Sequence, residues 1–308
     1  MTTHRAEHAQ VINATPDVLY GLVADVGVWP AIFRPCVHVH RLSQGSRTER
    51  FRIWATVNGS VVDWTSRREL DPDRLRVEFA QEVSSPPVTA MSGSWVFREL
   101  AGGRTEVVLT HQFSVVDDAP GSVASVHAAL DRNSAAELGA LARVAQAGHP
   151  VDDLLFSFTD EVSLPGSAAA AYEFVARADL WAERLPHVSR VVVGSHGGGV
   201  QELEMDTVTP DGTSHRTQSL RVCSDGEWIS YKQVQPPRLL LGHGGLWTFT
   251  QNGDLVVATA THTVVLDPAA VAELTGGTVA EARQSVREAL GRNSLATLGH
   301  ALAAATIA

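Results

Sequence analysis

The string ALDRNSAAELGALA begins at Ala129, and ALGRNSLATLGHALA begins at Ala289. Nearly the same helix is written twice, and this repetition limits the folds open to the chain. Laying the second half on the first extends the match in order. VWPAIFRPCV (Val28 to Val37) falls on LWAERLPHV (Leu180 to Val188), SSPPVTAMSGSWVF (Ser84 to Phe97) on VQPPRLLLGHGGLWTF (Val234 to Phe249), and LTHQF at Leu109 on ATHTV at Ala260. Ordered matches with short gaps indicate a duplicated domain rather than a solenoid of short repeats. The length of 308 residues suits two units of ordinary size. Residues 1–147 are therefore expected to form one domain and 153–308 its copy, with AGHPVDD between them breaking the helical pattern at Gly and Pro.

Each copy opens with a strand (Glu7 to Asn13; Leu154 to Ser163), followed by a short helix that starts at Thr15-Pro16 or Ser167. A meander of alternating strands comes next, with Asn58-Gly59 as its clearest hairpin turn. A long helix closes the copy, from about Ser122 to Val144 in the first. Its stripe Val123, Val126, Leu130, Ser134, Leu138, Leu141 has helical spacing. One long helix against a curled antiparallel sheet is an α+β layout, and it encloses a cavity wherever side chains do not fill the concave side.

Asn133-Ser134 and Asn293-Ser294 interrupt that apolar stripe at its midpoint, where burial without partners would be costly. Either the pair walls a polar cavity, or one member faces solvent while the other bonds back to its own helix. Trp64, Ser66 and Arg68 alternate along one strand and share a face. Turned inward, they supply an aromatic wall, a hydroxyl and a cation able to hold a developing oxyanion. His111 and His262 are repeat-equivalent and are either proton donors in a pocket or satisfied core histidines. Trp29 with Trp181, and Trp95 with Trp247, are likewise equivalent, and aromatics gathered on one cavity suit a flat, extended ligand.

Around Ser214 the register of SHRTQSLRV against WTSRREL is open by one residue. His215 with Thr217 or Arg216 with Gln218 faces inward, and the second copy is expected to lack the Trp-Ser-Arg face. The Gly-rich stretches SHGGGV at Ser195 and LGHGGL around His243 read as turns, because neither lies in a phosphate-binding context.

The net charge of −10 argues against nucleic acid or an anionic membrane as main partner. No apolar run approaches the roughly 18 residues of a membrane span, and the N-terminus lacks a leader's apolar core, so a cytoplasmic location is expected. Two isolated cysteines, Cys36 and Cys223, imply neither a disulfide framework nor a thiolate metal site. The one local basic surface is Arg41, Arg47, Arg50, Arg52, Arg67, Arg68, Arg74 and Arg76.

Three segments, NATPDVLYGLVADVGVWP (Asn13 to Pro30), WTSRRELDP (Trp64 to Pro72) and PPVTAMSGSWVF (Pro86 to Phe97), resemble the two-domain aromatase/cyclases of bacterial aromatic (type II) polyketide synthases. Those proteins belong to the helix-grip, START/Bet v1-like superfamily, and the resemblance covers residues 5–147 and 153–305. It implies regiospecific aldol closure and dehydration of a poly-β-ketone held by an acyl carrier protein, with other synthase subunits as partners and with neither cofactor nor metal. The family's catalytic arginine falls on Arg68, with Ser66 and His111 as the groups that move protons. Trp64, Trp29, Met91, Trp95, Asn133 and Ser134 would line the first pocket. Trp247, His262, Asn293 and one of the two polar sets at 215–218 would line the second. The first domain is expected to carry the committing chemistry. The rival reading is a non-catalytic binder of a hydrophobic small molecule.

Overall fold

The computed structural model describes residues 2–307 except 209–211 and 213. The chain divides into two compact units, Met1–Val151 and Asp152–Ala308.

The first unit runs β1 (His4–Ile12), α1 (Pro16–Ala24), α2 (Trp29–Ile32), β2 (Cys36–Gln44), β3 (Thr48–Val57), β4 (Ser60–Asp71), β5 (Arg76–Val83), β6 (Val88–Leu100), β7 (Arg104–Val115) and α3 (Pro120–Ala145). Its seven strands form one antiparallel sheet in the order β1-β7-β6-β5-β4-β3-β2. The second unit repeats the plan after a one-turn helix, α4 (Val151–Leu154): β8 (Leu155–Pro165), α5 (Ala168–Ala176), α6 (Trp181–Arg184), β9 (Val188–Gly197), β10 (Val200–Val208), β11 (Ser214–Ser224), β12 (Trp228–Gln235), β13 (Leu240–Asn252), β14 (Leu255–Leu266), α7 (Pro268–Thr275) and α8 (Val279–Ile307). Its sheet has the order β8-β14-β13-β12-β11-β10-β9. Each unit is thus a helix-grip fold in which meander neighbours pair, the last strand joins the first, and the long helix follows. No helix of the described residues is long and apolar enough to cross a membrane.

Local chemistry explains the boundaries. Asn58 (φ 51°) and Gly59 (φ 83°) take the left-handed values that a tight two-residue turn demands, and Val57 pairs with Ser60 across them. In α5, Ser167 caps the helix by accepting from the Ala170 amide at 3.4 Å, whereas the Thr15 hydroxyl makes no such bond at α1. SHGGGV is a turn as expected, with Gly197, Gly198 and Gly199 all at positive φ. LGHGGL is not. His243 lies inside β13, and Gly245 beside it serves close packing across the sheet rather than a reversal of the chain. An added Cβ at Gly245 would collide with the Tyr231 ring, and one at Gly93 with the Phe79 ring. At each site the absent side chain gives an aromatic from the neighbouring strand room to lie across the backbone.

Candidate active site

In the first unit, α3 does not close down on the sheet, and a cavity of about 230 Å³ remains between them. Trp29, Trp64, Ser66, Met91, Trp95, His111, Asn133 and Ser134 all line it, so the inward reading of the β4 face and of the helix midpoint holds for each of them. Phe33 stacks on Trp95 with centroids 6.2 Å apart, and Trp29 meets Phe33 and Phe51 edge-on, giving one end a continuous aromatic floor. The β3–β4 hairpin reaches back to α3: the Asn58 amide donates to Ser125 Oγ at 3.2 Å, and Arg132 donates to the Asn58 carbonyl oxygen.

Arg68 is not part of that lining. Its side chain is 1% exposed and runs past the cavity floor to the C-terminal end of α1. There it donates to the Val23 carbonyl at 2.7 Å, to the Ala24 carbonyl and to the Glu49 carboxylate, while its guanidinium lies 5.0 Å from the Trp29 ring centroid. The last carbonyls of a helix have no partner within the helix and carry the negative end of its dipole, so a buried guanidinium is well matched to them. Arg68 thus ties α1 to the sheet, with its guanidinium against the Trp29 ring that lines the cavity.

The groups that face the cavity with protons to move are His111 and Glu137. Burial, helped by nearby His8, holds His111 down at about 4, so its imidazole is neutral at neutral pH. Its Nδ1 is buried and without a hydrogen-bond partner. Glu137 lies one helical turn beyond Asn133-Ser134 on the same wall. Burial raises its carboxyl to about 8, and among the described residues it has neither an ion pair nor a hydrogen bond. A neutral base and a protonated acid therefore share one apolar container.

The second unit holds a smaller cavity of about 120 Å³ in the corresponding place. Trp247, His262 and Asn293 line it as expected. Of the two polar sets, the face of His215 and Thr217 is the inward one, and only Thr217 of the four residues reaches the cavity wall. His215 is exposed beyond the cavity, Arg216 pairs outward with Asp206 at 2.7 and 2.8 Å, and Gln218 donates to Glu202 at 2.5 Å. Strand pairing settles the register. Ser66 is opposite Gln81 and Arg68 opposite Phe79, while Ser219 is opposite Gln233 and Arg221 opposite Tyr231. The equivalent triplet is therefore Thr217, Ser219, Arg221, and all three line the cavity. The second copy keeps the serine and the arginine and exchanges only the tryptophan. Arg221 repeats the Arg68 arrangement, donating to the Val175 carbonyl at 2.7 Å over Trp181, with Gln201 where the first unit has Glu49. A Ser-x-Arg match between SRR at Ser66 and SLR at Ser219 was the available signal.

The basic stretch is not a free cationic surface. Arg41 pairs with Asp25, Arg47 with Asp73, Arg50 with Glu82, Arg52 with Asp63, Arg74 with Asp71 and Arg76 with Glu78. Of the eight arginines, only Arg67 is in no ion pair among the described residues. The widest depression of the unit, about 820 Å³, lies on the outer face of the sheet among these paired charges and shares almost none of the inner wall.

Residues 12–137 match the family model described as polyketide cyclase / dehydrase and lipid transport. The chain is 57% identical over 307 residues to the granaticin polyketide synthase bifunctional cyclase/dehydratase of Streptomyces violaceoruber, covering 99% of this chain and 95% of that one. It is 49% identical to the actinorhodin polyketide synthase bifunctional cyclase/dehydratase of Streptomyces coelicolor, covering 98% and 97%. The chain belongs to the polyketide cyclase/dehydratase family. Among solved structures, the di-domain aromatase/cyclase BexL from the BE-7585A biosynthetic pathway superposes with a TM-score of 0.83 at 46% identity, over 98% of both chains. StfQ, from the steffimycin pathway, gives 0.81 at 33% identity over 97% and 98%. This polyketide cyclase/dehydratase therefore shares its two-unit organisation with both.

Proposed function

We propose that the cavity of the first unit receives a poly-β-ketone from an acyl carrier protein, closes one ring by aldol addition, and commits the product to loss of water. The observation that carries this reading is the pairing of a neutral, unpartnered imidazole with a protonated, unpartnered carboxyl on the walls of one aromatic cavity.

Methylenes between two carbonyls are acidic, so His111 suffices as the base that removes the proton. The enol carbon then attacks a carbonyl elsewhere in the folded chain. Glu137 donates its proton to that carbonyl oxygen as the C–C bond forms, so no alkoxide is left in the apolar interior. Trp64, Trp95 and Met91 set the bend of the chain, and this positioning supplies most of the choice between rings. Ser66 contributes a hydroxyl on the same wall. Arg68 acts as a positioning residue, holding Trp29 and the end of α1.

The reading is tested by adding the full chain to a reconstituted minimal synthase with its carrier protein and resolving the products by mass. One closed and dehydrated product should replace the spontaneous mixture. An unchanged mixture with the added chain merely retaining polyketide would instead favour a carrier of hydrophobic molecules, the other activity within the family model's description.

A further inference from the structure

At three cavity positions the two units differ in chemistry. Phe79 becomes Tyr231 and Met91 becomes His243, as their equivalent places in the strand pairing show, and Glu137 becomes Thr297 by the repeat of the helix. The histidine common to both units is thereby rewired. In the first unit, His111 faces the Phe79 ring with its Nδ1 unpartnered. In the second, His262 is bonded on both sides. Its Nδ1 lies 3.0 Å from His243 Nε2 and 2.9 Å from Tyr231 Oη, and its Nε2 lies 2.7 Å from Ser294 Oγ. His243 Nδ1 is 3.0 Å from the Gln233 carbonyl oxygen.

The directions of these bonds follow from the inventory of donors. The Gln233 oxygen only accepts, so His243 donates from Nδ1 and presents a bare Nε2. His262 donates Nδ1–H to that nitrogen, which leaves its own Nε2 to accept the Ser294 hydroxyl proton. Tyr231 Oη, 3.3 Å from His243 Nε2, braces the pair. The result is a one-way chain, Ser294 to His262 to His243 to Gln233, whose serine end opens into the cavity. Burial and the neighbouring ring put His243 at about 3, and burial puts His262 at about 4, so both rings are neutral at neutral pH. A row of polar groups in a protein interior costs free energy unless it is fully bonded, and the first unit shows that the fold stands with Phe and Met in those places.

We propose that the second cavity is a dehydration site in its own right, in which Ser294 and His262 move the proton and His243, Tyr231 and Gln233 orient them. Its substrate would be a ring already closed, carrying a hydroxyl on the carbon next to one that is α to a ketone. The inference rests on the cyclase reading above. Ser294 Oγ takes the α proton while passing its own to His262 Nε2, and the electron pair left on carbon is held as the enolate. The enolate collapses to C=C, the C–O bond breaks, and the proton returns through Ser294 so that the oxygen leaves as water. The substrate loses one proton and one hydroxide, and the protein ends unchanged. The smaller volume, about 120 Å³ against about 230 Å³, fits a compact ring better than a long chain still to be folded.

The test uses the full chain with the reconstituted synthase and compares wild type with Ser294→Ala, Tyr231→Phe and His262→Gln. In the histidine and serine variants the closed ring should form at the wild-type rate within about twofold, while its dehydration slows by at least about tenfold. A product heavier by one water should then accumulate, with a milder effect in Tyr231→Phe. Wild-type rates of water loss in both Ser294→Ala and His262→Gln would overturn the proposal. So would loss of ring closure together with dehydration in variants whose circular dichroism is native. Ser294→Ala removes a single oxygen and decides the matter if His262→Gln does not fold. Failure of the wild-type chain to change the products at all would instead count against the cyclase reading.

Discussion

Replacing Arg68 by Ala is expected to destabilise the first unit by about 3–5 kcal/mol, a large part of the stability of a domain of this size. The substitution leaves the Glu49 carboxylate, 2% exposed, with only the half-exposed Arg41 at 3.6 Å, and leaves the Ala24 carbonyl without a donor, while the Val23 carbonyl keeps only Trp29 Nε1 at 3.1 Å. Most of the penalty is that of a buried charge left with one weak, half-exposed partner rather than the net worth of the pair. Arg68→Met combined with Glu49→Leu should therefore recover much of the loss, because a buried pair exchanged for apolar groups of similar volume is often close to neutral. Denaturant unfolding of the single and double variants checks this. If Arg68→Ala unfolded at the wild-type midpoint yet made no cyclised product, the guanidinium would be acting on the substrate and the structural role would be wrong. The second unit already contains a version of the intermediate case, since Gln201 stands where Glu49 does.

Glu137→Gln is expected to slow ring closure by about 100- to 10,000-fold, the range usual for loss of a positioned acid. The same change should stabilise the fold at neutral and alkaline pH. The Glu137 carboxyl titrates near 8 in the native protein against 4.5 as the ordinary value, so the native state holds the proton more tightly than the unfolded chain. Its contribution is intact below pH 4.5 and is lost as pH rises toward 8, at up to about 1.4 kcal/mol per pH unit in that window. The amide of the variant does not titrate and carries no such cost. Chemical denaturation at about pH 5 and about pH 7.5 should therefore show a stability gain for the variant only at the higher value. An equal effect at both would mean that the carboxyl is solvated and ionised, and a solvated carboxylate could not be the acid assigned here.

Much of this was legible in the residues. The duplication follows from ordered matches, and the hairpin at Asn58-Gly59 from a turn whose dihedrals few other residues tolerate. Alternation along β4 correctly placed Trp64 and Ser66 on the cavity wall. It could not place the end of Arg68, because period-two reasoning fixes the face a side chain leaves from, not where a long chain terminates. The guanidinium passes the cavity to reach helix carbonyls that are invisible until α1 is packed against the sheet. Glu137 was missed for a related reason: a carboxylate in an Ala-rich helix reads as a solvent position. The second-unit relay was hidden behind glycines. LGHGGL looks like a turn, yet Gly245 is small so that Tyr231 can lie over it and bring its hydroxyl to His262.

The central claim, that the first cavity is the container in which the chain is bent and closed, is tested most directly by filling it. Ala129 lies on the α3 wall, and Ala129→Phe would project a ring into the open volume without removing any group that handles protons. With the reconstituted synthase, the folded variant should give the mixture that forms when no cyclase is added. A wild-type yield of the closed product from that variant would show that closure happens elsewhere.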